Sequence, residues 1–424
     1  LYYDITSLYP FVQKTKLYPV GHPEIIIKPQ SKCIDNYFGI IKCKVLPPQD
    51  LYIPTLCLKI NNKLVFPLCF TCAENKNHNE CNHDDNKRSL SGTWTSIELQ
   101  KAMQCGYQII KVYEVWHWKE NSNELFKDYV DTFIKAKTES SGYPDWVKNE
   151  CDQEQYKNNY FAQENIQLDN VTINPAKRSF AKLCVNNQWG YLAMKSDKTQ
   201  TKIITTTEEW YNFASDNRNK ISKIFISNNN NNQDDIMQVH FSIANTDTFH
   251  HTSVTHAAFV TAYGRLELLS EMEKLGDRLL YFDTDSIIYI SRPGCYDIPL
   301  GDYLGQFTNE IKDDEIDEFV SAGPKNYSYH LKSGKTKLVV KGFSLNNTTN
   351  ANIDFEKIKD IVKNNQHDQL KIKQLKFTRE KNNWEIQSEI VEKSYGFVYD
   401  KRILLEDFTT LPFGFKASHF YNQN

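Results

Sequence analysis

Leu279-Leu-Tyr-Phe-Asp283-Thr-Asp285-Ser-Ile-Ile-Tyr289 sets two carboxylates one residue apart between two apolar, β-prone runs. The stretch reads as a strand, a tight turn and a second strand, with Asp283 and Asp285 at the tip. Alternation about Thr284 predicts that both carboxylates face one side of extended backbone, where they can share cations. Two divalent ions clamping the attacking and leaving oxygens of an in-line displacement need hard oxygen donors of this kind, and Mg²⁺ suits them. Asp, Thr and Ser are also ordinary turn formers, so the stretch by itself reads more readily as a plain turn.

Two distant segments fit around it. Asp4-Ile5-Thr-Ser7-Leu8-Tyr9-Pro10 lies in a predicted strand over residues 1–12 that runs into a turn at Pro10. It offers a third carboxylate at a strand end, then backbone amides for phosphate oxygens and an aromatic ring at the turn. Alone, Asp4 reads as a turn cap and Tyr9 as core. Arg178, Lys182 and Asn186 stand at i, i+4 and i+8 in a helix predicted from about Lys177 to Trp189, so they form one polar stripe able to grip a triphosphate. A solvated helix face is the plainer reading of such a stripe.

Taken together and in this order, the three segments resemble the D-x-x-S-L-Y-P, K-x-x-x-N-S-x-Y-G and Y-x-D-T-D-S motifs of family B DNA polymerases. Lys325-Asn-Tyr327 resembles the K-x-Y motif of the protein-primed branch. Phe66–Cys72, Gly92–Thr95, Phe133–Pro144 and Asp400-Lys-Arg402 are similar to polymerases of large self-synthesising DNA transposons and related viruses. The resemblance implies an α+β right-hand polymerase with an antiparallel-sheet palm, helical fingers, a β-rich thumb and a large insertion between the first two motifs. It implies catalytic Asp4, Asp283 and Asp285, with Asp4, Asp285 and the Ile5 carbonyl as Mg²⁺ ligands for two ions, Mn²⁺ being able to substitute. Ser7, Leu8, Tyr9, Arg178, Lys182, Asn186 and Gly190 are implied to bind the nucleotide, Tyr9 by excluding a 2′-hydroxyl. Lys325 and Tyr327 are implied to hold the primer strand. Asn187 and Trp189 depart from the family's usual Ser and Tyr.

The implied partners are template-primer DNA, deoxynucleoside triphosphates and a terminal protein whose hydroxyl primes synthesis. The expected division is palm over 1–20, insertion over 21–165, fingers over 166–194, a second insertion over 195–250, palm over 251–330 and thumb over 331–424. The chain opens at the first polymerase motif, so no 3′–5′ exonuclease is expected from it, and an upstream domain is expected in the parent protein. Adjacent carboxylates would mark a reverse transcriptase; Asp-Thr-Asp and the K-x3-N helix argue against one. An inactive mobile-element remnant that only binds nucleic acid is the alternative to an active enzyme.

At 424 residues, 40% hydrophobic, the chain is long enough for two to four domains. Its net charge of −3 supplies no global basic field, so nucleic-acid contacts must come from local patches. No apolar run of membrane-spanning length and no secretory leader is visible, which makes an intracellular protein without membrane contact the expectation. Thr95-Ser-Ile-Glu98 predicts a capping box whose helix stops at Gly106, and further helices are predicted over 124–138 and from Val254 to Gly276. A hairpin turn is predicted at Ser333-Gly334 and a solvated loop at Asn228–Asn232. Cys69, Cys72, Cys81 and His83 offer four ligands in fifteen residues, enough for a structural Zn²⁺, with four metal-free reduced side chains as the other reading. His250, His251 and His256 read as helix-flanking residues.

Overall fold

The central sheet joins the two ends of the sequence that carry carboxylates. In the computed structural model, which describes residues 1–194, 199–227, 236–243, 252–345, 352–364, 369–380 and 385–416, its strand order is Leu279–Asp283, Ser286–Tyr289, Tyr2–Ile5, Phe307–Asn309. All neighbours are antiparallel. The run Ser286–Tyr289 is apolar without alternation because it is a central strand, buried on both faces. Ile287 and Tyr289 enter the main core with Ile5 and Leu8, whereas Ile288 faces a smaller core shared with Tyr327 and Tyr329. Each such aliphatic side chain contributes about 1.5–3 kcal/mol on burial.

Helices cover the main-core face. Tyr2–Ile5 runs through Ser7 into a helix over Leu8–Thr15, not into a turn. Pro10 sits in that helix's first turn, where the missing N–H has no intrahelical partner to lose. The predicted helix of residues 124–138 forms over Lys127–Glu139 and the predicted finger helix over Pro175–Leu192. Val254–Leu275 ends at Gly276, whose φ of 58° favours glycine. The capping box at Thr95 and Glu98 is present, and the Ser333-Gly334 turn joins Asn326–Leu331 to Thr336–Val340.

Three packed units run across the expected boundaries. The insertion expected over 21–165 has its own core only to about residue 118, in a sheet ordered Glu24–Ile27, Gln108–His117, Gly39–Leu46, Leu90–Thr95. Phe126, Val130, Ile134, Tyr160 and Leu168 instead pack with Tyr3, Ile5 and Leu8 of the palm. Ile316–Gly323 and Asn326–Leu331 form one sheet with Thr336–Val340 that packs on helix Phe355–Lys363, so this unit runs across the expected thumb boundary at 331. The last described segment, 400–416, leaves the thumb and packs on the insertion.

Within the expected second insertion, Gln200–Ile204, Ile236–Ile243 and Asn219–Ser227 make a small sheet around Val239 and Phe241. The Asn228–Asn232 loop, His250 and His251 lie outside the described residues. No helix among the described residues is long and apolar enough to cross a membrane.

Candidate active site

Asp4 pairs across the sheet with Ser286, and the next amide, that of Ile5, donates to the Asp285 carbonyl at 2.7 Å. Pairing between the first strand and the far hairpin thus brings Asp4 beside Asp285, 281 positions later in the sequence. The hairpin tip differs from the extended backbone expected. Thr284 has φ 56° and the Asp285 amide donates to the Asp283 carbonyl at 2.6 Å, a three-residue turn with a positive central φ. A β-branched residue there is strained. Asp283 and Asp285 are therefore brought together by a turn and not by strand alternation.

The carboxylates repel one another. Burial, then the charges of Asp285 and Glu310, push the Asp4 carboxyl up to about 7. Burial also raises Asp285, with Asp283 and Glu310 adding to the rise while Lys325 opposes it. Glu310, which the sequence reading passed over, follows the edge strand Phe307–Asn309 and donates its amide to the Tyr2 carbonyl. Nothing in its local sequence marked it. Lys325 Nζ lies 3.3 Å from Asp283, so its charge is engaged at the hairpin tip. Asp4 and Asp285, half-buried oxygen donors whose proton affinity is raised by burial and by neighbouring carboxylates, fit hard divalent cations, which would relieve that repulsion. Ile5, whose carbonyl follows Asp4, has its side chain locked in the core.

The expected nucleotide residues lie at the start of helix Leu8–Thr15 and along helix Pro175–Leu192. Ser7, in the left-handed region at φ 53°, opens the helix whose first turn holds Leu8 and Tyr9. Helix N-terminal amides of this kind suit phosphate oxygens. Lys137 Nζ donates to Ser7 Oγ at 3.3 Å, and its proton affinity is lowered by burial and by neighbouring Arg178 and Lys182. Sequence reasoning missed Lys137, although it lies on an amphipathic helix whose buried face was recognised. Lys137, beside Ser7, thus feels two further cations, Arg178 and Lys182. Arg178 Nε donates to Ser141 Oγ at 3.0 Å, whereas Lys182, Asn186 and Gly190 stay exposed on the finger helix.

Tyr9 is clamped between two helices. Its ring is 5.2 Å from that of Trp189, whose indole N–H donates to the Ala257 carbonyl at 3.1 Å. On the other side a Cβ on buried Gly264 would come within 3.1 Å of Tyr9 Cε1. Trp189, noted from sequence only as a departure, thus aligns the ring, and Gly264 leaves room for it. Burial raises the Tyr9 phenol, Arg265 opposes that shift, and the charges of Asp285 and Asp283 add to it.

Tyr327, implied with Lys325 to hold the primer strand, is buried. It is 7% exposed, its ring lies 4.7 Å from Tyr281 and its hydroxyl 3.4 Å from that of Tyr2. Tyr281 in turn accepts the Lys325 amide at 2.9 Å. The tyrosines therefore hold Lys325 in place, while Lys325 alone of the pair faces solvent.

The four predicted zinc ligands, Cys69, Cys72, Cys81 and His83, converge far along the insertion, with ligand atoms within 4.8 Å of one another.

A family model described as DNA polymerase type B, organellar and viral, matches residues 1–274. A probable DNA polymerase of Podospora anserina is 27% identical over 377 residues, 86% of this chain and 27% of that protein. One of Neurospora intermedia is 22% identical over 360 residues, 81% of this chain and 30% of that protein. The chain spans less than a third of the length of these curated relatives. Among solved structures, Phi29 DNA polymerase complexed with primer-template DNA and incoming nucleotide superimposes with a TM-score of 0.57 at 15% identity, covering 94% of this chain and 57% of that one. Its post-translocation binary complex with primer-template DNA gives 0.58 over the same shares. At that identity the likeness is one of fold.

Proposed function

This chain belongs to the organellar and viral type B DNA polymerases, and from that premise we propose that it adds deoxynucleotides to a 3′-hydroxyl under the direction of a DNA template. The observation that carries the reading is the pairing of Asp4 with Ser286, which sets Asp4 beside Asp285. In the reaction the 3′-oxygen attacks the α-phosphorus of the incoming nucleotide and pyrophosphate leaves. Two magnesium ions held by Asp4, Asp285 and the Ile5 carbonyl would supply the Lewis-acid charge for that displacement, and manganese suits the same donors.

The chain's own groups orient and neutralise. Lys182, Arg178 and Lys137 balance the triphosphate charge as it shifts toward the leaving group. The Leu8 and Tyr9 amides receive phosphate oxygens at the helix N-terminus. Tyr9, held flat by Trp189 and Gly264, lies under the sugar and rejects a 2′-hydroxyl, while Asn186 and the open space around Gly190 border the nascent base pair. Lys325, paired with Asp283, holds the primer-terminal phosphate.

We further read the enzyme as protein-primed and as serving a mobile element or virus. Support comes from the two folded insertions, one between Asp4 and Lys182 and one after the finger helix, which exceed what a palm and fingers require. Primer extension on a gapped template tests the activity. Magnesium-dependent extension is expected from this chain and none from Asp285→Ala; no extension by either would favour a remnant that only binds nucleic acid. Covalent attachment of a first nucleotide to a partner polypeptide tests the priming.

A further inference from the structure

We propose that Cys69, Cys72, Cys81 and His83 bind one structural Zn²⁺ that acts as a clasp, fastening the C-terminal segment 400–416 to the insertion and so anchoring the thumb at both ends. The donor set is closed and the right size. His83 Nδ1 lies 3.5 Å from the sulfur of Cys69, 3.3 Å from that of Cys72 and 3.6 Å from that of Cys81. A tetrahedral zinc with ordinary Zn–S and Zn–N bonds places sulfur and nitrogen about 3.6 Å apart. All three cysteines are buried. Their sulfurs also receive the hydrogen bonds that thiolate ligands attract: the Cys72 amide donates to Cys69 Sγ at 3.4 Å and Asn77 Nδ2 to Cys72 Sγ at 3.6 Å.

The ligand loop has little apolar material of its own. The core around it is completed from the far end of the chain, by Ile403 and Phe413 with Leu411 beside them. The contact reaches the ligands directly. Both Leu68 and Cys69 donate their amides to the Phe413 carbonyl, at 2.8 and 3.2 Å. Gly414, at φ 93°, passes so close that a Cβ would fall 2.4 Å from Cys69 Cβ. Flanking polar contacts extend the seam. Asp400 pairs with Lys63, and Arg402 Nη2 donates to the Tyr52 carbonyl at 3.1 Å. The Asp400-Lys-Arg402 run, which the catalytic site leaves without a role, thus belongs to the clasp. The thumb's other anchor is the contact of Tyr327 and Tyr329 with Ile288 of the palm.

The dependence follows from the arrangement. Without metal, the thiols and imidazole lose what holds the loop that presents the Leu68 and Cys69 amides, and the docking surface for Phe413 loosens with it.

The test measures metal and exchange, so it stands apart from polymerase activity. Metal analysis of protein purified without chelator is expected to find about one zinc per chain, lost in Cys81→Ser. Hydrogen exchange across 403–416 is expected to quicken about tenfold or more after zinc removal, and to recover when zinc alone is restored. Gly414→Ala, which leaves all four ligands intact, is expected to keep its zinc and still show the faster exchange. Absence of zinc overturns the site. Zinc whose removal leaves 403–416 protected overturns the clasp.

Discussion

Among the described residues, the carboxylates of Asp4, Asp283 and Asp285 and the Cys69–His83 cluster are built on opposite plans. At the central sheet, Asp283 and Asp285 flank a strained turn and Asp4 lies on the neighbouring strand, three half-buried hard oxygen donors. In the insertion, three buried sulfurs and one imidazole close on each other with no face left for a substrate. An open donor set suits a cation that must meet a substrate, whereas a closed one suits a cation that holds chain segments together. Cations arriving with a nucleotide would relieve repulsion in the first set, whereas an ion in the second would hold its loop together.

The largest expected effect breaks the open site. Asp285→Asn removes a donor without changing the turn's size and is expected to lower extension by about a thousandfold or more in single-turnover assays. Near-normal rates would remove Asp285 from the chemistry. Next is the basic wall. Lys182→Ala is expected to reduce kcat/KM for nucleotides about a hundredfold and Lys137→Ala about tenfold. An inverse order would shift the main phosphate contact to the residue beside Ser7.

A smaller effect concerns the sugar gate. Tyr9→Ala is expected to admit ribonucleotides, read by competition between the two sugars. Gly264→Ala should raise the nucleotide KM about threefold, by pressing on the Tyr9 ring. Unchanged values for Gly264→Ala would mean the ring has slack against that helix.

The smallest effect is thermodynamic. In chelator, Asp4 titrates near 7 in the fold and near 3.8 when unfolded. Between those values the folded chain holds a proton the unfolded chain has lost, so this group's contribution makes stability fall as pH rises from about 4 to about 7. Asp4→Asn abolishes that slope. Its melting temperature relative to the unsubstituted protein should therefore climb across that window, and parallel curves would show that Asp4 carries no such shift. No comparable gain is expected from removing a ligand of the closed site.

Much of the site was legible in linear order. Local chemistry wrote the helix ends at Thr95 and Gly276, the finger stripe and the two carboxylate segments, because capping, glycine geometry and helical periodicity act over a few residues. What misled was also local. Pro10 resembled a turn signal but occupies a helix's first turn, and Asp-Thr-Asp resembled a strand but bends at Thr284. Lys137, Glu310 and Gly264 carried no legible mark, since their importance lies in what the fold sets opposite them.

The amino-acid order by itself determined the family resemblance, the donor chemistry at each metal-binding cluster and most helices, all consequences of residue type and short-range spacing. Only tertiary structure decided that Asp4 meets Asp285, that Tyr327 is buried behind Lys325, and that residues 400–416 return to the cysteine loop. Those outcomes depend on pairing and burial between segments hundreds of residues apart, where the free energy of a whole core selects the partner.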